Sequence, residues 1–169
     1  IATPGAYEVT RPLQVVQIDH TQVDIMHVDQ ASREIAGRPW ITLAIDVMTR
    51  LVTGFHLTLE PPSRTSVGLC LLHAVYDKTA WLAERGIDAA WPIGGLPEAL
   101  HADNGADFRS RAFERACRNH GIQIRWRPVG EPHCGGHIER LIGTTMGVVQ
   151  MLTRSHFSSP VDRGHYPSA

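Results

Sequence analysis

Three acidic residues occupy positions from which a folded chain could present them to one site. Asp19 lies within an apolar, β-branched stretch, Asp103 directly precedes an Asn-Gly turn, and Glu139 comes shortly after a Gly-Gly pair, with 35 residues between the last two acids. Carboxylate oxygens are the ligands that Mg²⁺ prefers, and two ions held by shared carboxylates can activate the attacking oxygen and stabilise the leaving oxygen at phosphorus. The pattern therefore predicts a divalent-metal site, with Asp19 bridging two ions and Asp103 and Glu139 each completing one.

The alternative is that these are three of the 17 acidic residues on solvated surfaces. Their context argues against it. A carboxylate that interrupts an apolar strand, ends a strand at a turn or opens a helix stands where a rigid scaffold presents functional groups.

The elements that must position the acids follow from hydrophobic periodicity and from turn residues. The predicted strands are a long or broken one over 14–29, a hairpin over 40–47 and 51–57, and two short strands over 98–102 and 122–126. The predicted helices run from a cap at Ser63 or Thr65 to Arg85, from Phe108 to His120, and from about His137 to Leu152. The expected order is three strands, helix, strand, helix, strand and a last helix that carries Glu139.

Composition limits the classes of protein that fit. A length of 169 residues with 43% apolar residues predicts one core domain, which we place at residues 14–152 between a linker from an upstream domain at 1–13 and a tail or linker at 153–169. The formal net charge of −1 excludes a globally basic nucleic-acid binder, so other domains are expected to hold much of any DNA.

Cysteine usage and hydropathy favour an intracellular protein. Cys70, Cys117 and Cys134 are an odd number of widely spaced thiols, which argues against a disulfide framework and for a reducing cytosol. No apolar run approaches the ~18 residues of a membrane span. We therefore expect no membrane partner and a cytoplasmic protein, and the first residue, Ile1, suggests a fragment of a longer chain.

Four motifs occur in a fixed order along the sequence. They are Ile18-Asp19-His20-Thr21; Ala44-Ile45-Asp46-Val47 with Arg50 and Gly54-Phe55; Ala102-Asp103-Asn104-Gly105 with Phe108; and Gly136-His137-Ile138-Glu139-Arg140. Over about residues 13 to 159 the sequence resembles the catalytic core of the retroviral integrase superfamily, the DDE transposases. It is most similar to bacterial transposases of the TnsB and TniA kind, relatives of phage Mu transposase.

This resemblance implies an α/β, RNase H-like fold with a mixed five-stranded sheet, its first three strands antiparallel, flanked by helices. It implies Asp19, Asp103 and Glu139 as catalytic and metal-binding acids that hold Mg²⁺, or Mn²⁺ as a substitute, as two ions. The implied activity is 3′-end cleavage and strand transfer of transposon DNA into target DNA. The implied partners are transposon-end and target DNA, further copies of the chain in a synaptic complex, and an AAA+ ATPase that selects the target.

One departure from the family concerns the last helix. Retroviral members carry lysines on it that hold viral DNA, whereas this helix offers Arg140 followed by Gly143, Thr144 and Met146. DNA contacts are therefore expected elsewhere.

Other residues compete for roles at the site. Strand alternation directs Asp24 away from Asp19, Asp46 suits a structural role near a hairpin turn, and Asp107 is an auxiliary ligand candidate. A zinc site at His133, Cys134 and His137 would lack an obvious fourth ligand.

The basic residues around the last predicted strand also have two interpretations. Arg109, Arg111, Arg125 and Arg127 could touch phosphates and Trp126 could stack on a base. Strand alternation instead predicts Trp126 in the core and the arginines facing solvent.

Two other functions stay open at this point. An RNase H-like nuclease would cleave DNA without joining ends. A non-catalytic assembly module would keep the fold and bind a partner, but it would have no need of the three acids.

Overall fold

The computed structural model describes residues 9–29, 31–32, 34–105, 107–127 and 136–153, with side chains in the last segment limited to 138 and 140–148. Within this part of the chain the strands are β1 Val15–Gln22, β2 His27–Val28, β3 Ile35–Gly37, β4 Trp40–Asp46, β5 Val52–Thr58, β6 Ala99–Ala102 and β7 Gln123–Trp126. The helices are α1 Arg64–Val75, α2 Thr79–Glu84, α3 Arg111–Asn119 and α4 Gly136–Thr153. The predicted linker at 1–13 and tail at 153–169 lie mostly outside the described residues, and these domain boundaries stay predictions.

Five strands form one mixed sheet in the order β5-β4-β1-β6-β7. β1 pairs antiparallel with β4 and β4 antiparallel with β5, whereas β1 pairs parallel with β6 and β6 parallel with β7. The predicted mixed five-stranded sheet with three antiparallel strands first is confirmed. β1 is its central strand.

The burial pattern of β1 agrees with its central position in the sheet. Val15, Val16, Gln17 and Ile18 are all buried, without the alternation of a strand that has one face in water. Continuous burial is typical of a strand covered on both faces.

Cys70 of α1 and Cys117 of α3 pack in the same core cluster as Val16 and Ile18, and burial raises the pKa of both thiols. Both cysteines are free.

The stretch over 14–29, predicted as one long or broken strand, is broken. β1 ends at Gln22, and β2 pairs with β3 in a separate two-stranded sheet. An ion pair of 2.9 Å between Asp24 and Arg38 lies at the base of this small hairpin. The amide of Val23 donates to the carbonyl oxygen of Pro39 at 2.8 Å, one position beyond the last pair of the β1–β4 ladder.

The sequence predicted one helix from Ser63 or Thr65 to Arg85. This prediction is wrong in one respect, because two helices occupy the range. The Ser63 hydroxyl accepts a hydrogen bond from the amide of Thr65, and Ser66 completes a capping box, so α1 begins as predicted. The chain then becomes extended at Tyr76, with ψ of 152°. The Asp77 carboxylate accepts from the amide of Thr79 at 2.8 Å and starts α2, which ends before Gly86 at φ +64°.

Close packing between β5 and α1 depends on Gly54. A Cβ built on Gly54 would lie 2.5 Å from the backbone nitrogen of Ala74, a distance that no side chain can accept. The absence of a Cβ therefore lets the helix lie directly on the strand.

Among the described residues, no helix has the length and apolar character needed to cross a membrane.

Candidate active site

Asp19 and Asp103 come from neighbouring parallel strands at the same level of the sheet. The register between β1 and β6 pairs Gln17 with His101 and Ile18 with Ala102, so Asp19 and Asp103 each follow the last paired residue. Side chains at matched positions of parallel strands point to the same face. The fold therefore brings two of the three predicted acids to one edge of the sheet.

Both carboxylates are oriented by the residue that follows them. Oδ1 of Asp19 accepts a hydrogen bond from the amide of His20 at 2.8 Å, and Oδ1 of Asp103 accepts from the amide of Asn104 at 2.7 Å. Asp19 is half-buried and Asp103 is exposed. Each of these hydrogen bonds fixes the direction of its carboxylate.

A buried polar bridge connects this edge to the start of α4. Gln17 is fully buried, and its Oε1 accepts from the amide of Ile138 at 3.3 Å. Its Nε2 lies 3.2 Å from Nδ1 of His101. Because the oxygen of Gln17 is used as an acceptor, its Nε2 is the donor, and Nδ1 of His101 must be the acceptor.

The charge state of His101 agrees with this assignment. Burial, followed by the positive charges of Arg127 and Arg125, lowers the pKa of His101 to about 4. The imidazole is therefore neutral near pH 7 and can accept at Nδ1. The bridge is chemically consistent from α4 through β1 to β6.

Glu139 follows Ile138 directly in the first turn of α4. Its side chain lies outside the described residues, so its approach to the two aspartates stays a prediction. The contacts of the preceding residue, Ile138, fix the position of the Glu139 backbone. The Ile138 amide donates to Gln17, two residues before Asp19, and the Ile138 side chain is fully buried. The helix that carries Glu139 thus starts beside the strand that carries Asp19.

Arg127 is the residue at this edge that sequence reasoning placed wrongly. Strand alternation predicted a solvent-facing arginine, but Nη2 of Arg127 lies 3.1 Å from Oδ2 of Asp19, and its side chain is only 11% exposed. Arg127 directly follows β7, whose register pairs Ala102 with Trp126. Asp19, Asp103 and Arg127 are therefore the residues directly after the paired segments of three adjacent parallel strands, and we call them the acidic edge.

The register could have revealed this position from the sequence. Aligning the ends of the predicted strands over 98–102 and 122–126 puts Arg127 opposite Asp103. Arg125 and Trp126 agree with the interpretation from strand alternation. Arg125 is exposed, and Trp126 packs on the core cluster.

Asn104 and Arg109 support the loop that follows Asp103. The Asn104 side chain donates to the carbonyl oxygen of Arg127 and accepts from the guanidinium of Arg109. The guanidinium of Arg109 also lies 5.2 Å from the ring centre of Trp126. The Asp-Asn-Gly turn is thus fastened to the end of β7.

His20 fastens the same loop to the opposite side. Its ring stacks on Phe108 with 4.7 Å between ring centres, and its Nδ1 lies 2.8 Å from the hydroxyl of Thr42. Burial lowers the pKa of His20, although Asp19 and Asp107 oppose that effect. A neutral aromatic His20 therefore packs the end of β1 against the loop that carries Asp103.

Two of the competing acids have structural partners. Asp46 is fully buried and accepts from the amide of Leu13 at 2.8 Å and from the amide and hydroxyl of Thr49 at 2.7 Å, which confirms its structural role. Asp24 pairs with Arg38. Asp107 is half-buried, and its negative charge acts on His20.

Comparison with known proteins identifies the class of domain. The family described as the TnsB C-terminal domain matches residues 17–154. The chain belongs to this family. The matched range contains all three predicted acids.

Two curated relatives are transposition proteins. The TnsB-like domain is 31% identical to the transposase for transposon Tn552 of Staphylococcus aureus over 137 residues, which cover 81% of this chain and 26% of that protein. It is 33% identical to the Tn7 transposition protein TnsB of Escherichia coli over 132 residues, which cover 76% of this chain and 19% of the relative. The chain thus spans about a fifth to a quarter of the length of these relatives.

Solved structures confirm the fold. The simian T-cell lymphotropic virus intasome, in complex with a PP2A regulatory subunit, aligns with a TM-score of 0.62 at 18% identity over 93% of this chain and 44% of that one. The integrase catalytic core domain of HTLV-2 in complex with magnesium aligns with a TM-score of 0.55 at 14% identity, covering 83% of this chain and 72% of that one. The TnsB-like domain has the RNase H-like fold of integrase cores, as predicted.

The acidic edge has the donor chemistry that Mg²⁺ requires. Asp19 and Asp103 offer hard carboxylate oxygens, and the guanidinium on Oδ2 of Asp19 shows that this position already holds a positive charge. Among the side chains that the structure describes, no three His, Cys, Asp or Glu residues form a group able to hold a metal ion, and Glu139 is not among those side chains. The alternative zinc ligands His133 and Cys134 lie outside the described residues, as does the side chain of His137.

Proposed function

We propose that this domain is the catalytic core of a DNA transposase that cleaves transposon 3′ ends and joins them to target DNA. The observation that carries the proposal is the matched placement of Asp19 within β1 and Asp103 directly after β6, on adjacent parallel strands. The Gln17 bridge to Ile138 adds a route by which Glu139 would join them. Membership of the TnsB C-terminal domain family supports the same function.

Asp19, Asp103 and Glu139 would hold two Mg²⁺ ions, or Mn²⁺ in their place. When bound, such ions activate the attacking oxygen and stabilise the leaving oxygen of an in-line displacement. The protein residues supply the geometry: Gln17, His20 and Asn104 hold the carboxylate-bearing segments in place. In the cleavage step water would attack the phosphodiester at the transposon 3′ end, and the bond to the transposon 3′ oxygen would break to free a 3′ hydroxyl. In the joining step that hydroxyl would attack a target phosphodiester and displace the 3′ hydroxyl of the target strand.

We propose that arginines on the described surface contact DNA phosphates. Arg50 and Arg140 line one cleft between the β4–β5 turn and α4, together with Ile45, Leu141 and Thr144. Arg125 is exposed on β7. With a net charge of −1 these residues cannot supply a broad basic surface, so we propose that other domains hold most of the DNA.

The remaining partners are proposed from the family alone. They are transposon-end and target DNA, further copies of the chain in a synaptic complex, and an AAA+ ATPase that selects the target. The domain would act in the bacterial cytoplasm, in association with the nucleoid.

A strand-transfer assay with the full-length protein tests the proposal. Asp19→Asn, Asp103→Asn and Glu139→Gln are each expected to lower joining of transposon ends by about 100-fold or more in Mg²⁺, because each removes a ligand from ions whose charge stabilisation amounts to several kcal/mol. Asp24→Asn is the matched control, since it removes a carboxylate close to β1 that pairs with Arg38 instead. It is expected to join ends normally.

Three outcomes separate the alternatives. Full joining by Asp103→Asn or Glu139→Gln would disprove the catalytic assignment. Acid-dependent cleavage without joining would identify a hydrolytic nuclease. Absence of both cleavage and joining in the unaltered protein, with assembly on DNA intact, would identify a non-catalytic module.

A further inference from the structure

The ion pair between Arg127 and Asp19 places a cation where the proposed function requires a metal. Nη2 of Arg127 lies 3.1 Å from Oδ2 of Asp19, the carboxylate oxygen not used by the amide of His20. Both side chains are largely shielded from water, at 11% and 19% exposure. Shielding strengthens the attraction between the two charges relative to an exposed pair.

The backbone of Arg127 is held firmly while its side chain reaches across the sheet. Its amide donates to the carbonyl oxygen of Ala102 at 2.9 Å, and its carbonyl oxygen accepts from the side chain of Asn104. Strand β6, which leads to Asp103, lies between β7 and β1. The guanidinium therefore spans the strand of one acid to bind the other.

A positive charge at this point offsets repulsion between the acids. Asp19 and Asp103 follow matched positions of neighbouring strands, and two carboxylates so placed repel each other unless a cation lies close by. A divalent ion would neutralise the same charges more completely. An arginine and a divalent ion at one carboxylate oxygen would also repel each other, so the two cations compete.

We propose that Arg127 is an internal counter-cation that stabilises the acidic edge without metal and must leave Asp19 before a divalent ion binds there. This inference rests on the proposed function, because it takes Asp19 as a metal ligand. Arg127 is then a positioning residue, whose long side chain exchanges with the metal while its backbone stays in place. Metal affinity is set partly by the cost of displacing it.

The test measures Mn²⁺ binding to the whole chain by calorimetry and by the rise of the thermal unfolding midpoint with MnCl₂. Arg127→Gln is expected to bind Mn²⁺ about ten-fold more tightly than the unaltered chain, because the competing charge is gone. Without metal, the same variant is expected to unfold about 2–4 °C lower, because the acids lose their counter-cation. A purely structural arginine would not produce tighter metal binding.

Arg125→Gln is the matched control. It removes the same charge two residues away, from within β7, where the side chain is exposed. It is expected to change Mn²⁺ affinity less than about two-fold, since an exposed charge is screened by water and salt.

Asp19→Asn separates failure of this inference from failure of the proposed function. Weaker Mn²⁺ binding in Asp19→Asn, with equal affinities for Arg127→Gln and Arg125→Gln, would overturn the counter-cation role alone. Unchanged Mn²⁺ binding in Asp19→Asn would overturn the metal site itself. Absence of measurable Mn²⁺ binding in all variants, Arg127→Gln included, would also overturn the counter-cation role.

Discussion

Two regions of this domain each bury a basic side chain, and they use it differently. At the acidic edge, Arg127 binds the carboxylate of Asp19. Near the junction of α1 and α2, Lys78 is 2% exposed, and its Nζ donates to the carbonyl oxygens of Ala74 at 2.9 Å and Ile93 at 3.3 Å. The partners of Lys78 are backbone atoms fixed by the fold, whereas the partner of Arg127 is a side chain that the proposed reaction needs.

The surroundings of the two cations differ as well. Lys78 lies beside an aromatic cluster of Phe55, His73, Trp81 and Trp91, whose ring centres are 4.9 to 6.1 Å apart. The indole nitrogen of Trp91 donates to the carbonyl oxygen of Val52 at 2.6 Å and ties the cluster to β5. The acidic edge is built from charged side chains instead. We infer that the aromatic cluster serves stability and the acidic edge serves chemistry.

The largest stability effect is expected at Gly54, beside the aromatic cluster. Gly54→Ala should lower the free energy of unfolding by about 1–3 kcal/mol, because the new methyl group would meet the backbone of Ala74, which cannot move without shifting α1. Urea denaturation measures the loss. Activity per folded molecule should stay unchanged.

Gly68→Ala is the control for this substitution. Gly68 lies within α1, and a Cβ there meets nothing within 4 Å, so alanine should stabilise the helix by about 0.5–1 kcal/mol. Equal effects at both glycines would contradict the close contact between β5 and α1.

A selective loss of function is expected at Gln17. Gln17→Leu should lower Mn²⁺ affinity and strand transfer by about 10–100-fold, because it leaves the amide of Ile138 without its acceptor and loosens the start of α4. Calorimetry and the joining assay measure the two losses.

Thr53→Val provides the comparison for Gln17. The Thr53 hydroxyl is buried on β5 and has no hydrogen-bond partner within the described part of the chain, so its removal should leave both metal binding and joining intact. Normal Mn²⁺ affinity in Gln17→Leu would show that the bridge does not position Glu139.

The smallest effect is a pH dependence of stability at His73. Burial, then the charges of Lys78 and Arg85, lowers the pKa of His73, whose Nδ1 accepts from the amide of Phe55 at 3.3 Å. The neutral ring is therefore favoured by folding. Its contribution is present above the ordinary histidine pKa near 6.5 and is lost as the pH falls below it.

Urea denaturation between pH 7.5 and 5.5 tests this dependence. His73→Gln should reduce the loss of stability on acidification by less than about 1 kcal/mol, because the ring is only partly buried. His27→Gln, which removes an exposed imidazole from β2, controls for the loss of one histidine. An unchanged pH profile in His73→Gln would show that protonation of this ring does not affect the free energy of unfolding.

Local sequence patterns determined most of the elements of this fold. Apolar runs located β1, β4 and β5, and the hydroxyl of Ser63 marked the start of α1. These features depend on residues close in sequence, which is why they could be predicted. The break between α1 and α2 could not, because the buried contact of Lys78 with Ile93 joins segments that only the folded chain brings together.

The sequence by itself determined the family, the order of the five main strands along the chain, and the places of Asp19 within a strand and Asp103 directly after one. Only the tertiary structure decided that Arg127 binds Asp19 across an intervening strand and that Gln17 links Ile138 to His101. Both contacts join residues far apart in the chain, and their geometry depends on strand register and on which strands are neighbours. Periodicity predicts which face a residue occupies, whereas register decides which side chains meet there.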